Sequence, residues 1–502
     1  MDSVAMSFFP FLAFFLIVIS AFALWTTNFI TKPTKTPPGP WRLPILGNIH
    51  QLATDQPHRC LSDLAKTYGS IMQIQLGQVP AVIISSAELA KQVLKIQELQ
   101  FLERPFLLAA EIMLYDRTDI IFAPYGDYWR QMKKIAVVEL LSAKRVQSFR
   151  SIREEQVRNF VKYLSCNSGS PVNLSKLLLS LTNSIIAITT IGKKFKKQDE
   201  IISIITEAIV AAGGFSVADA FPSFRLLPVI TGMSSSLRRI HRQADEILEE
   251  IINEQRSNRA ADKSINEAKN ILGLLLEIQE NGDLQFSLTT NNIKAMILEM
   301  FGAASDTSSA TTEWAMAELM RNPWVMEKAQ EEVRRVCRGR GTVDEEGLNE
   351  LKYLKLVIKE TLRLHPPLAL IPRECRKKSE LNGYIIHPKT RVLINAWAIG
   401  RNPQLWEDPE KFYPERFLDS AVDFKGNNFE FLPFGAGKRI CPGITMATAN
   451  IELIIAQMLY HFDWKLPSGS KAESVDMSES FGLAVKRKMD LILIPSCHLL
   501  VK

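Results

Sequence analysis

Cys441 sits in the stretch Phe434-Gly435-Ala436-Gly437-Lys438-Arg439-Ile440-Cys441-Pro442-Gly443, between a glycine-punctuated loop and an apolar run from Ile444 to Phe462. The spacing of that run predicts a buried helix. Three neighbours would lower a thiol pKa here: the positive end of the helix, loop amides freed by Gly435 and Gly437, and the cations Lys438 and Arg439. Pro442 suits a first helical turn, and Gly443 leaves room for something flat to approach the backbone. No CxxC pair or neighbouring His accompanies Cys441, so it lacks the four clustered ligands that a zinc site wants. A lone thiolate facing a flat partner is how haem iron is held from one side. A buried structural cysteine at a helix start is the competing reading.

Three further constellations carry chemistry. The pattern predicts one helix from about Thr290 to Met320, roughly 45 Å long at 1.5 Å per residue, stopped at Asn322-Pro323. Its middle has poor helix formers, Gly302 and Ser305-Asp306-Thr307-Ser308-Ser309, whose side chains compete for backbone hydrogen bonds. Small Gly302, Ala303 and Ala304 would admit a flat cofactor, and Asp306 with Thr307 offers a carboxylate and a hydroxyl for proton delivery. A helix crossing cushioned by small residues is the bland alternative. Glu360 and Arg363 lie three apart on one helix face in apolar surroundings, and Arg416, in Pro414-Glu415-Arg416-Phe417, offers a second guanidinium. We expect a structural ion-pair trio. Trp129 and Lys133, four apart, share a face from which an indole N–H and an ammonium could reach an anion; a solvated basic stripe explains such charges as well.

These residues need a large scaffold, and 502 residues at 46% hydrophobic composition can supply it. Most of the chain after Ser86 has helical periodicity, which predicts a mainly α body with a minor β-sheet near Ile71–Leu76 and Ala81–Ser85. Residues 100 to 123 read as a long, partly apolar loop of the kind found beside ligand sites. Helices are also expected around 58–68, 150–165, 172–192, 198–213, 234–256 and from Glu267 to Glu277. The six cysteines have no regular spacing, which fits a reducing compartment. No charged residue occurs between Asp2 and Lys32, so residues 1–31 are expected to form an uncleaved membrane anchor. Residues 32–47, with Pro37-Pro38-Gly39-Pro40, form a stiff hinge to the body at 48–502. Lys32 and Lys35 follow the apolar run, placing the body on the cytosolic side. The net charge of +6 suits anionic lipid or an acidic protein partner and gives no reason to invoke nucleic acid.

Taken together, the chain resembles a plant microsomal cytochrome P-450, a haem-thiolate monooxygenase, from the anchor to the last strands. The family's F-x-x-G-x-R-x-C-x-G is met by Phe434, Gly437, Arg439, Cys441 and Gly443, its E-x-x-R by Glu360 and Arg363, its P-E-R-F by Pro414 to Phe417, and its W-x-x-x-R/K by Trp129 and Lys133. The resemblance implies the cytochrome P-450 fold, with haem b between the long helix and the cysteine helix. It makes Cys441 the axial iron ligand and Phe434 the shield of its sulfur, and has Arg439, Trp129, Lys133 and Arg373 hold the propionates. The oxygen-activating pattern is met by Ala303, Ser305, Asp306, Thr307 and Ser308, with Ala304 where glycine is usual, a methyl that narrows the groove expected to seat dioxygen. The implied reaction inserts one atom of O2 into a C–H bond, with electrons from NADPH through a cytochrome P-450 reductase and protons through Thr307 and Asp306. The implied location is the endoplasmic reticulum membrane, single-pass, with the catalytic domain in the cytosol. Arg130, Lys133, Lys134, Lys144, Arg145 and Lys438 are candidates for the reductase-facing surface.

Segments matching the family's substrate-facing regions contain Leu107, Met300, Phe301, Ala303, Ala304, Leu368, Ala369, Leu370, Ile371, Phe481 and Leu483. A lining so apolar suits a small, rigid, hydrocarbon-like substrate; Glu111 and Glu299 are exceptions expected to face away. The chain looks most like plant enzymes that hydroxylate sesquiterpenes and diterpenes, with alkaloid or flavonoid hydroxylation as the alternative. A thiolate-haem isomerase or dehydratase, or a non-catalytic haem protein, would have little use for Asp306 and Thr307.

Overall fold

The computed structural model describes residues 35–193, 200–204, 207–208, 217–261, 270–282, 286–338, 343–467 and 471–498. The expected anchor at 1–31, the start of the hinge, and parts of the helices expected over 198–213 and from Glu267 lie outside them.

One helix, Thr290–Arg321, is the axis of the body. A reciprocal capping box opens it: Thr289 Oγ1 accepts from the Asn292 N–H at 3.2 Å, and Asn292 Oδ1 accepts from the Thr289 N–H at 2.9 Å. Asn322-Pro323 closes it, because the residue before proline avoids helical geometry; Asn322 has ψ 74°. The poor helix formers in its middle do not interrupt it. Thr307, Thr311 and Thr312 donate their hydroxyls to carbonyls four residues back, at 2.7, 2.8 and 2.9 Å, and so satisfy themselves within the helix.

Every residue from Ser308 to Leu319 is buried. The neighbours that bury this half include the helices Leu174–Ile191, Ile444–His461 and Lys352–Leu364. Leu174–Ile191 is, among the described residues, the one helix long and apolar enough to cross a membrane, and it packs inside this core.

The β structure is small, as the alternating stretches predict. Ile71–Leu76 and Val79–Ile84 pair antiparallel; Val79–Ile84 then runs parallel to Arg391–Asn395, which pairs antiparallel with Leu370–Glu374. A short hairpin, Glu479–Ser480 with Lys486–Arg487, carries Phe481–Val485 at its tip. The expected loop over 100–123 contains a six-residue helix, Leu108–Met113, too short to show periodicity. A left-handed turn follows it, with φ of 48°, 60° and 59° at Tyr115, Asp116 and Arg117.

Candidate functional site

The cysteine loop is shaped by two glycines at positive φ, Gly435 at 71° and Gly437 at 74°. A side chain at Gly437 would run into the Leu94 carbonyl and the Glu98 carboxylate. The Cys441 N–H donates to the Phe434 carbonyl at 3.0 Å, closing the loop just before helix Ile444–His461. Burial pushes the Cys441 thiol above its ordinary pKa, against a Gly443 N–H and the nearby Lys133 charge that pull it down. That differs from the expectation of a lowered pKa: Lys438 turns out to Glu98, Arg439 is spent on carbonyls, and burial outweighs the pull that remains.

Facing this loop, the long helix changes character. Met300, Ala303, Ala304 and Thr307, spaced three, one and three apart, share a face that keeps accessible surface, whereas the helix beyond Ser308 is closed. Cys441 and Glu299 likewise keep accessible surface although burial dominates their ionisation. Thr307 Oγ–H points back to the Ala303 carbonyl, and Asp306 Oδ2 lies 2.7 Å from Lys486 Nζ.

Four cations gather beside the loop. Arg439 donates to the carbonyls of Leu102, Ile120, Ile121 and Ala123 at 2.6–3.3 Å and lies over the Trp129 ring at 4.5 Å. Lys133 donates to the Ile440 carbonyl at 2.7 Å, Arg104 to those of Ile121 and Pro372, and Arg373 to that of Pro372 at 2.9 Å. Burial lowers all four pKa values: Arg373 falls to about 9, Arg439 to about 10 and Lys133 to about 8, and Arg104 falls well below its usual range, with repulsion from neighbouring cations adding to burial at Arg373, Lys133 and Arg104. Glu103 and Asp119 offset part of this charge at Arg439, while burial raises Glu299 to about 8 and weakens its share. Four cations gathered beside the cysteine loop, two of them buried and two half-buried, fit an anionic group carrying two carboxylates, so the donor set suits haem.

The structure moves three expectations. The Trp129 indole N–H is taken by the Ile120 carbonyl at 2.9 Å, which ties it to the loop rather than to an open anion site. Glu299, expected to face away, accepts from the Ile120 N–H at 2.7 Å and so holds the same loop. Lys133 turns inward and is not part of an exposed basic face. Among the apolar candidates, Phe301, Ala369, Leu370 and Ile371 are buried, Leu107 and Phe481 are half-buried, and Leu368 and Leu483 are exposed at 39% and 37%. Spacing gave no sign of Arg104, Asp119 or Lys486; the first two sit in an aperiodic loop.

The expected ion-pair trio is assembled in the interior. Arg363 grips Glu360 with Nε to Oε2 at 2.7 Å and a second contact at 2.8 Å. Arg416 Nε and the Tyr413 N–H reach Oε1 at 3.0 and 2.8 Å.

Residues 37–493 match the family model described as Cytochrome P450. The chain therefore belongs to the cytochrome P450 family, and it is a cytochrome P450 monooxygenase whose relatives are plant enzymes. It is 56% identical to cytochrome P450 726A27 of Euphorbia lathyris, over 96% of each chain. It is 49% identical to premnaspirodiene oxygenase of Hyoscyamus muticus, over 97% of this chain and 98% of that one. A zebrafish cytochrome P450 solved with progesterone shares the fold at TM-score 0.76 and 24% identity, over 88% of this chain and 99% of the other. The family implies haem, O2 and a redox partner.

Proposed function

We propose that this enzyme hydroxylates a small, rigid terpenoid, a sesquiterpenoid or diterpenoid, by R–H + O2 + NADPH + H⁺ → R–OH + H2O + NADP⁺, with electrons supplied by an NADPH–cytochrome P-450 reductase. The observation that carries the haem assignment is the gathering of buried Arg373 and Arg439 with half-buried Arg104 and Lys133 beside the Cys441 loop, Lys133 acting on the Cys441 sulfur itself. When bound, haem b supplies the iron at which O2 is reduced. Cys441 would ligate that iron, Phe434 would cover the sulfur, and the four cations would meet the propionates, with Trp129 packed under Arg439. Thr307 and Asp306 would hold and move protons in the pocket. Leu107, Met300, Phe301, Ala304, Leu368–Ile371, Phe481 and Leu483 hold substrate by shape and apolar contact.

The relative named premnaspirodiene oxygenase supports the terpenoid class. Exposed Lys134 and Lys144 beside exposed Val137 and Val138 suit an acidic reductase surface. Arg130 and Lys438 are already paired with Asp127 and Glu98. The membrane reading gains support from exposed Trp41, Ile45 and Leu46, which adjoin exposed Phe224, Leu226, Val229 and Ile230. The turn at Gly77-Gln78 joins the two groups, since the Gly77 N–H donates to Leu46 and the Gln78 N–H to Ala220. This apolar patch would seat the body of a protein anchored through residues 1–31 on the cytosolic face of the endoplasmic reticulum.

Microsomes carrying this protein and a reductase, given separate terpene, alkaloid and flavonoid panels, test the proposal. NADPH- and O2-dependent oxygenation of a terpene is the expected result. Turnover only of an alkaloid or flavonoid overturns the substrate class. Product formed without NADPH overturns the monooxygenase scheme.

A further inference from the structure

The long helix turns three carboxylates toward the segments that pack over it. Asp306 Oδ2 lies 2.7 Å from Lys486 Nζ, and Glu313 Oε1, two turns on, lies 3.6 Å from Arg487 Nε. Glu318 Oε1 meets His365 Nε2 at 2.7 Å. The His365 ring stacks at 4.0 Å on Trp314, whose indole N–H donates to the Val485 carbonyl at 3.2 Å. The hairpin Glu479–Arg487 is therefore fastened to the long helix along one strand. Its other strand is fastened to the body, because buried Glu479 accepts from Arg59 at 2.7 Å and Trp397 at 3.3 Å and meets His58 at 2.9 Å. Between these fixings lies the tip, Phe481–Val485.

The Lys486–Asp306 pair stands at the boundary of this arrangement, with side chains 37% and 18% exposed. Pairs so open to solvent contribute little to folding stability. The consequence of this one is orientation: it decides where the Asp306 carboxylate points, one residue from the Thr307 hydroxyl. We propose that Lys486 is a positioning residue for Asp306, tying the proton-delivering carboxylate to the hairpin whose tip borders the substrate. The inference rests on the reading of Asp306 and Thr307 as the proton path.

Without substrate, the reconstituted enzyme divides its reducing equivalents between two balanced outcomes. One is O2 + NADPH + H⁺ → H2O2 + NADP⁺, and the other is O2 + 2 NADPH + 2 H⁺ → 2 H2O + 2 NADP⁺. Both take up protons, but only the second breaks the O–O bond, which requires the proton to reach the oxygen that leaves as water. Loss of the Lys486 ammonium frees the carboxylate to rotate, so the division should move toward H2O2.

The test uses the full-length, haem-loaded protein with reductase, as wild type, Lys486→Met, Lys486→Arg, Asp306→Asn and the Lys486→Met/Asp306→Asn double variant, each checked for the ferrous–carbonyl Soret band. In Lys486→Met the ratio of water to H2O2 is expected to fall on the order of tenfold, by loss of positioned acid catalysis, and Lys486→Arg should restore most of it. Hydrogen exchange of residues 479–488 gives a readout independent of turnover. Because so exposed a pair is worth at most about 1 kcal/mol, each single variant should speed exchange by the same small factor, no more than about fivefold, and the double variant by no more. An unchanged product ratio in Lys486→Met, or additive exchange effects, overturns the assignment. If wild type consumes no NADPH with reductase, the monooxygenase reading fails instead, and the exchange cycle alone decides whether Lys486 holds Asp306.

Discussion

Replacing Glu360 by Gln leaves the shape of the ion-pair trio intact and removes its one negative charge. Arg363, 1% exposed, and the shielded Arg416 then face each other without a counter-charge. Removing one partner of a buried pair costs about 3–5 kcal/mol. Arg363 keeps carbonyl acceptors at Gly400 and Pro409, at 2.6 and 2.7 Å, and another at Lys411 at 3.2 Å, which places the loss near the lower figure. Even about 3 kcal/mol is a fifth or more of a folding stability of roughly 5–15 kcal/mol. Denaturant unfolding followed by tryptophan fluorescence and by the Soret band should show both transitions shifting to lower denaturant together. Glu360→Gln/Arg363→Gln should cost less than the sum of its parts, because the second change removes the charge that the first strands. A loss below about 1 kcal/mol, within reach of a surface pair, or strict additivity would refute the reasoning.

Gly437→Ala sets a methyl against the Leu94 carbonyl at a φ of 74°, so the cysteine loop must shift. The expected outcome is soluble protein that retains haem poorly, and normal haem content would contradict it. His461 gives a pH prediction. Burial lowers its imidazole to about 4, so as pH falls below about 6.5 the unfolded chain takes up a proton that the folded chain refuses. The stability it contributes is present above pH 6.5 and is lost on the way down to pH 4, by about 3 kcal/mol at 1.4 kcal/mol per unit. His461→Phe should flatten that part of the unfolding-versus-pH curve relative to wild type, and an identical acid slope would exclude the effect.

What the sequence made legible is what local spacing encodes. Glu360 and Arg363 are three apart on one helix, and Thr289 to Arg321 carries its own caps, so neither depends on the rest of the chain for recognition. The β hairpin at 71–84 is legible for the same reason. The electrostatics of the cysteine loop were not, because helix end, amides and cations argue for a low thiol pKa only until burial is known, and burial outweighs them. Arg104, Asp119 and Glu299 meet through a loop with no period, and the contact of Ile120 with Glu299 spans 179 positions. Lys486 reaches Asp306 from a two-residue strand that has no pattern to detect.

The trio also explains how a network on helix Lys352–Leu364 can brace a loop that it does not touch. Arg363 lies 5.3 Å from the Trp406 ring centroid, Trp406 packs on Phe417 at 5.6 Å, and Phe417 on Phe431 at 5.3 Å. Phe431 then meets Phe424 at 6.3 Å, and Phe424 meets Phe434 at 5.3 Å. Close-packed rings transmit displacement because the interior has no free volume to absorb it. The cysteine loop is thus held by guanidiniums and this aromatic chain, whereas Asp306 and Thr307 stand on one continuous helix. Under the proposed reading the two should fail differently. Damage to the loops loosens the hold on haem, while changes at Asp306 or Thr307 leave the helix standing and alter only what becomes of the oxygen.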